Sequence, residues 1–354
     1  MSSRPCAGKT SPPSSAATLV RSTFRWFAVL PLLVAYSCAQ PMTAHDPLSD
    51  SADAPKSRLN FQLPTLGGKQ FWADWRWREG WRIQENVLTG HHRVLDPNDR
   101  RQAWGSWEAC LADFERLAPT VERQHKRHLV MLLHGMGRSR GALSDMQAAL
   151  AGQNWDVAAV SYPSTRRSIE NHVVQFESVL NNLQGYDQIS FVTHSLGGVI
   201  VRELLAPERA TANHDHGYWR DHIQAERAVM LAPPNQGSTF AQAVENFAPY
   251  SWIFGETGLA LTPQAMASVH VPKIPVLVIA GARGSKGAFN PWLDGPNDGV
   301  VRVEETHLQG ESEHLVVDNI HTFLMNDPIS VNATIRFLAG SSGLVDTKVR
   351  AADD

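Results

Sequence analysis

One serine in this sequence stands where it could act as a nucleophile. Residues 188–201 read Q-I-S-F-V-T-H-S-L-G-G-V-I-V. A β-branched and aromatic run ends at Ser195, and small residues lead at once into an amphipathic segment. The pattern predicts a strand that turns sharply into a helix with Ser195 at the apex, its hydroxyl pushed clear of the sheet. Glycine is needed just after the serine, because a side chain there would collide with the strand or with a substrate. Thr193 stands where the usual G-x-S-x-G turn carries its first glycine.

A serine hydroxyl needs a base to take its proton, and the base needs a carboxylate to hold its tautomer. Both are expected at the ends of later strands. For the carboxylate there are two candidates, Asp298 and Asp294. Asp298 sits in an N-D-G turn followed by Val300 and Val301, a setting that fixes its side chain, and it is favoured. The base is sought among His307, His314 and His321. His314 opens a short apolar run, at the wrong end of a strand; His321 follows that run on a loop that can reach Ser195, and is favoured. The oxyanion formed when serine adds to a carbonyl needs two backbone donors set in advance. They are expected at the N–H of Leu196, directly after the serine, and the N–H of Met136 in the H-G-M-G segment His134–Gly137. His134 then shapes that loop rather than acting as the base. His214-Asp215-His216, with Asp221 and His222 nearby, has the residue types of a metal site, but Thr211–Asp221 reads as a polar surface loop.

The elements that must hold these residues alternate. His128–Leu133 is a continuous apolar run, which suggests a strand buried on both faces and hence a parallel sheet. A helix is expected over Gly141–Leu150, a strand over Trp155–Pro163 and an amphipathic helix over Ile169–Leu183. After the Ser195 strand and its helix come strands at Arg227–Leu231, Ile274–Ala280 and His314–Asp318, then a last helix bearing Val331, Ile335, Phe337 and Leu338. This is the alternation of a doubly wound, mostly parallel sheet with helices on both faces. Ahead of it, Phe71–Trp77, Trp81–Val87 and His91–Leu95 read as strands of an antiparallel N-terminal edge, and Trp104–Leu117 as a helix. Six of the eleven tryptophans fall in this region at strand spacing, which favours packing over a carbohydrate-stacking surface. Residues 240–271 interrupt the alternation with an apolar insertion, read equally as a lid or as an ordinary helix on the core.

With 354 residues, 43% hydrophobic and 19% charged, the chain is globular, and a net charge of -3 with no basic stripe excludes a nucleic-acid partner. Three cysteines without a C-x-x-C pair imply neither a disulfide framework nor a thiolate zinc site. Residues 1–39 combine basic residues, a short apolar run from Trp26 to Tyr36 and small residues, the make-up of an export signal. Cleavage after Ala39 would give a free periplasmic or secreted protein. Alternatively, Ala35-Tyr36-Ser37-Cys38 resembles a degenerate bacterial lipobox, and lipidated Cys38 would hold the protein to a membrane. Residues 40–58 have linker composition, 59–340 form the domain that contains the insertion, and 341–354 form a polar tail.

With Ser195, Asp298 and His321 in that chain order behind H-G-M-G, residues 127–340 resemble the α/β-hydrolase fold, specifically its lipase-like serine esterases. The resemblance implies an acyl-enzyme on Ser195, proton transfer by His321, orientation of His321 by Asp298, and no cofactor or metal. The substrate it implies is a small-molecule or lipid acyl ester, with the apolar insertion pointing to apolar acyl groups. Acyl transfer or amide hydrolysis by the same residues, or a catalytically inactive binding module on this fold, are the alternatives.

Overall fold

The strands that carry the candidate residues lie side by side in a six-stranded parallel sheet of order β10-β9-β8-β7-β5-β6. They are β5 (His128–Leu133), β6 (Asp156–Val160), β7 (Gln188–His194), β8 (Gln224–Leu231), β9 (Val276–Gly281) and β10 (Glu313–Val317). The computed structural model describes residues 68–121, 127–153, 155–211, 218–244, 257, 261–283, 290 and 293–340. These all belong to the larger of two units into which the chain divides, Leu59–Asp354. The expected export signal, linker and tail, His214-Asp215-His216 and residues 245–256 and 258–260 of the expected insertion lie outside the described residues.

The central strands are apolar on both faces because both faces are covered. Leu129, Met131, Ile189, Phe191, Ala228, Met230, Val276 and Val278 point to one side, into a core completed by α3 (Ile169–Asn181) and α4 (Leu196–Leu204). The alternate residues Val130, Leu132, Val192, Val229, Leu231, Leu277 and Ile279 point to the other side. There they meet α2 (Ser144–Ala151) and α5 (Pro328–Leu338). This is period-two patterning with two buried faces, and each fully buried aliphatic side chain contributes roughly 1.5–3 kcal/mol relative to exposure. Insertion residues Ala241, Leu261 and Met266 join the first of these cores. Helix starts follow side-chain caps: the Ser168 hydroxyl accepts from the Asn171 N–H, and the Asp327 carboxylate accepts from Ile329 and Ser330, with Pro328 opening α5.

The tryptophan-rich segment is antiparallel, as its alternation predicts, but it closes into its own four-stranded sheet rather than extending the parallel one. Its strands are β1 (Trp72–Arg78), β2 (Trp81–Asn86), β3 (His92–Leu95) and β4 (Arg101–Gly105), followed by α1 (Trp107–Leu117). The expected helix from Trp104 is corrected. Trp104 ends β4, and the helix waits for Ser106, whose hydroxyl caps the Ala109 N–H. Most of the tryptophans pack: Trp77 is buried against Tyr186, Arg93 lies 3.6 Å over Trp72, and Arg76 lies 4.8 Å over Trp107. The sheet docks through Asp74, which is fully buried. Its backbone N–H donates to the Ser161 carbonyl at 3.0 Å, and its carboxylate accepts from the Ser161 N–H at 2.6 Å. Cys110 is a free thiol on the buried face of α1, its pKa pushed up to about 11 by burial, and so inert.

Candidate active site

Ser195 terminates β7, between β5 and β8, where the chain has already stepped outward to β6 and returned. Its backbone stands at φ 52° and ψ -118°, a conformation rare outside glycine. A serine in the N-cap position normally turns its hydroxyl onto the first helical N–H groups. Here the positive φ turns it away and no side-chain cap bond forms, so the hydroxyl is left for other chemistry. The backbone N–H of Ser195 donates to Leu231 of β8 at 2.8 Å, which pins the corner to the sheet.

Two glycines make this corner possible. A Cβ on Gly197 would lie 2.7 Å from the Leu133 carbonyl oxygen, and a Cβ on Gly135 would lie 2.6 Å from His194 Nδ1 and 3.2 Å from Ser195 Cβ. Thr193 fits because its hydroxyl donates to the Val229 carbonyl at 3.2 Å while the facing residue, Gly198, has no side chain. The extra atoms at 193 are thus accommodated by a glycine five residues on.

Asp298 and His321 meet. His321 Nδ1 lies 2.7 Å from Asp298 Oδ2, and the His321 N–H donates to the Asp298 carbonyl at 2.9 Å. The other carboxylate oxygen, Oδ1, accepts from the N–H groups of Val300 and Val301 at 2.9 and 2.8 Å. Both oxygens are therefore directed, and the carboxyl is buried, while His321 keeps 13% of its side-chain surface. Gly281 at the end of β9 permits the approach, since a Cβ there would stand 2.8 Å from Asp298 Cβ. Asp294 is exposed on the same loop. His314 lies within β10, its Nε2 2.9 Å from Thr306 Oγ1 and its ring stacked on His307 at 3.9 Å. Accordingly, His321→Ala should lose ester turnover and His314→Ala should keep most of it, as read by kcat/KM of the two variants; the reverse ranking would exchange their assignments.

His194 ties the two halves of the site together. Its Nε2 donates to the His321 carbonyl at 3.0 Å, and the two rings lie 4.7 Å apart. Burial holds His194 well below the usual histidine range, so it stays neutral and serves as a tether. Among the described residues no hydrogen bond joins Ser195 Oγ to His321; such bonds commonly tighten only when substrate binds.

The candidate oxyanion donors belong to the two segments that form this corner. Leu196 is the first residue of α4, so its N–H has no partner within the helix. Neither it nor the Met136 N–H donates to any described residue. The Met136 loop is braced from the segment after β6 and the turn before β1: Gly137 donates to Ser164 Oγ at 3.0 Å, Ser164 donates to Gln70, and Gln70 bonds the Arg138 carbonyl. Arg138 in turn donates to the Thr322 carbonyl beside His321 at 3.2 Å. His134 shapes the loop, its ring stacked on Tyr162 at 4.1 Å and its carbonyl bonded by the Tyr162 hydroxyl. Gln70, Ser164, Arg138 and His194 were not singled out in the sequence, because nothing in their local spacing links them to the site.

Burial lowers three histidines around this region, His134 to about 4, His172 to about 3 and His194 well below its ordinary value. Each binds a proton in the unfolded chain near pH 6.5 but not in the folded one. Their contribution to stability is complete above pH 6.5 and falls as the pH drops, by about 1.4 kcal/mol per unit for each. Asp74, raised by burial, acts in the opposite sense across the carboxylate range. Urea unfolding at pH 7.5 and pH 5 should show a loss of several kcal/mol at the lower pH.

One group of metal-ligand types occurs among the described residues, His307, Glu311 and His314. Its rings are stacked 17° from parallel, so no single ion lies in the plane of both without one ring turning. A cavity of about 630 Å³ is lined by Arg76, Glu115, Tyr186 and Trp219, beside the start of β7, whereas Ser195 follows the opposite end of that strand.

A family model described as "Putative serine esterase (DUF676)" matches residues 123–253. A search of curated proteins returns no match. Among solved structures, the propeptide form of lipase BlEst2 from Bacillus licheniformis aligns with a TM-score of 0.50 at 18% identity, covering 62% of this chain and 52% of that one. Its mature form aligns with a TM-score of 0.49 at 17% identity, covering 62% and 95%. The metagenomic carboxyl esterase MGS0156 aligns with a TM-score of 0.43 at 17% identity, covering 58% and 68%. The fold is the α/β-hydrolase fold, with a separate antiparallel sheet added before it.

Proposed function

We propose that the chain is a serine hydrolase of carboxylic esters, acting through Ser195, His321 and Asp298. The observation that carries this reading is the hydrogen-bonded Asp298–His321 pair delivered to a corner where Ser195 is held at positive φ with its hydroxyl uncapped. The match to a family described as serine esterases and the lipase-like fold support it.

In the proposed reaction Ser195 Oγ adds to the ester carbonyl while His321 Nε2 takes its proton. Asp298 holds the opposite nitrogen of the ring as the donor and stabilises the imidazolium. The N–H groups of Leu196 and Met136 receive the oxyanion, each worth about 3 kcal/mol in comparable sites. The C–O bond to the alcohol then breaks, His321 returns the proton to the leaving oxygen, and the acyl group stays on Ser195. Water, deprotonated by His321, adds to the acyl-enzyme; the bond to Ser195 Oγ then breaks, His321 returns the proton to Oγ, and the acid leaves. Side chains of this protein supply every proton transfer in these steps.

Apolar acyl groups are the proposed substrates. Phe323 and Val300, next to His321 and Asp298, are 54% and 36% exposed, so the rim of the site is greasy. Hydrolysis of p-nitrophenyl esters of increasing acyl length tests this: rates that climb with length beyond acetate support it, and a preference for acetate overturns it. Export with either a lipidated Cys38 or cleavage after Ala39 is proposed on the composition of the leader. Mass spectrometry of the mature N-terminus distinguishes the two, and an intact Met1 in secreting cells would contradict both.

A further inference from the structure

Between the added sheet and the loop that follows H-G-M-G lies a cavity of about 270 Å³ in which guanidinium groups converge. Arg82, Arg93 and Arg140 line it, together with Trp72, Asp99 and Ser139. Asp99 is the only acid on this wall, and it already holds both Arg82 and Arg140. Arg93 lies flat on Trp72, its Nε and Nη2 donating to the Gln84 amide oxygen at 2.9 and 2.7 Å. Arg82 is 2% exposed, yet its Nε and Nη1 have no hydrogen-bond partner among the described residues. Buried donors left unpaired are costly, and more so on a charged group.

We propose that this cavity is a binding site for a phosphate group, independent of the ester-cleaving centre. Among the groups that line it, three arginines face one exposed carboxylate, a net positive wall matched by an anion with several acceptor oxygens. The nearby Asp74 opposes them only in part: it is buried behind Gln84 and the Ser161 N–H, outside the lining of the cavity, and burial raises its pKa. Burial also pulls Arg93 down to about 10, against the opposing charge of Asp74, and a bound dianion would relieve that strain on its charged form. The neighbouring cavity of about 250 Å³ shares Arg82 and Arg140, but two acids, Glu79 and Asp156, line it as well and balance them. No comparable excess of charge exists there.

The position has a consequence for the rest of the molecule. Ser139 and Arg140 directly follow Arg138, which bonds the Thr322 carbonyl beside His321. Phosphate held on Ser139 and Arg140 would stiffen the segment that carries the Met136 donor.

Calorimetric titration of the full-length mature chain with inorganic phosphate, against chloride at matched ionic strength, tests the proposal without relying on activity. Saturable phosphate binding is expected, weakened at least about tenfold in Arg93→Gln and Arg140→Gln, the loss that follows removal of a charge-assisted pair. Circular dichroism checks that each variant is folded, and Arg93→Lys, which keeps the charge, should retain part of the affinity. Vesicles of phosphatidylcholine with and without phosphatidic acid distinguish a lipid phosphate from a free one: sedimentation that needs phosphatidic acid and both arginines assigns the former, and binding of inorganic phosphate alone assigns the latter. An unchanged isotherm in both folded glutamine variants, or no heat beyond the chloride control, would overturn the site.

Discussion

Ser195→Ala is expected to lower kcat/KM for ester hydrolysis by about 10⁴-fold or more, since without its nucleophile a triad enzyme keeps only the residual help of binding and oxyanion donors. The fold should survive unaltered. Alanine has the same Cβ at φ 52°, its side chain replaces a hydroxyl that caps nothing, and the corner is held by the Ser195 N–H rather than by Oγ. Ser195→Gly should be equally inactive but more stable, by roughly 1 kcal/mol, because glycine relieves the positive-φ strain. Denaturation midpoints of the three proteins read the strain, and initial rates read the chemistry. A Ser195→Gly protein no more stable than wild type would mean that the corner is unstrained.

Asp298→Asn is the second large effect, a loss of about 10⁴-fold in kcat with substrate binding little changed. The backbone donors of Val300 and Val301 demand an acceptor, so the asparagine oxygen will take their side and turn its NH₂ toward His321. The ring must then accept at Nδ1 and carry its proton at Nε2, where it cannot take the proton of Ser195. Asp294→Asn, on the exposed part of the same loop, is expected to leave the rate within about twofold, as surface substitutions away from a site do. Equal losses in the two variants would remove Asp298 from its special position.

The parallel sheet was legible because both faces of β5, β7, β8 and β9 are buried, and continuous apolar runs are a direct print of that burial. The corner at Ser195 was legible because small residues must follow it. Asp298 and His321 could be chosen over Asp294 and His314 from turn chemistry and strand polarity, and the structure sets the first pair 2.7 Å apart. The separation of β1–β4 into its own sheet was not legible, since alternation specifies a strand but not its neighbour. Nor was β4, a five-residue strand ending in Trp104 and Gly105 that reads continuously into the helix after it. The tolerance of Thr193 came from Gly198 across the turn, and the bracing of the Met136 loop came from Gln70, more than 60 residues earlier. Contacts of that span leave no periodic trace.

A fluorophosphonate probe attacks only a serine that a neighbouring base has activated, so it reports the Ser195–His321–Asp298 arrangement without any choice of ester. After treatment of the intact protein, peptide mass spectrometry should find one phosphonylated residue, Ser195, with labelling lost in Ser195→Ala and strongly slowed in His321→Ala. Absence of an adduct on the wild-type protein, or an adduct that persists in Ser195→Ala, would contradict the assignment of Ser195 as the nucleophile.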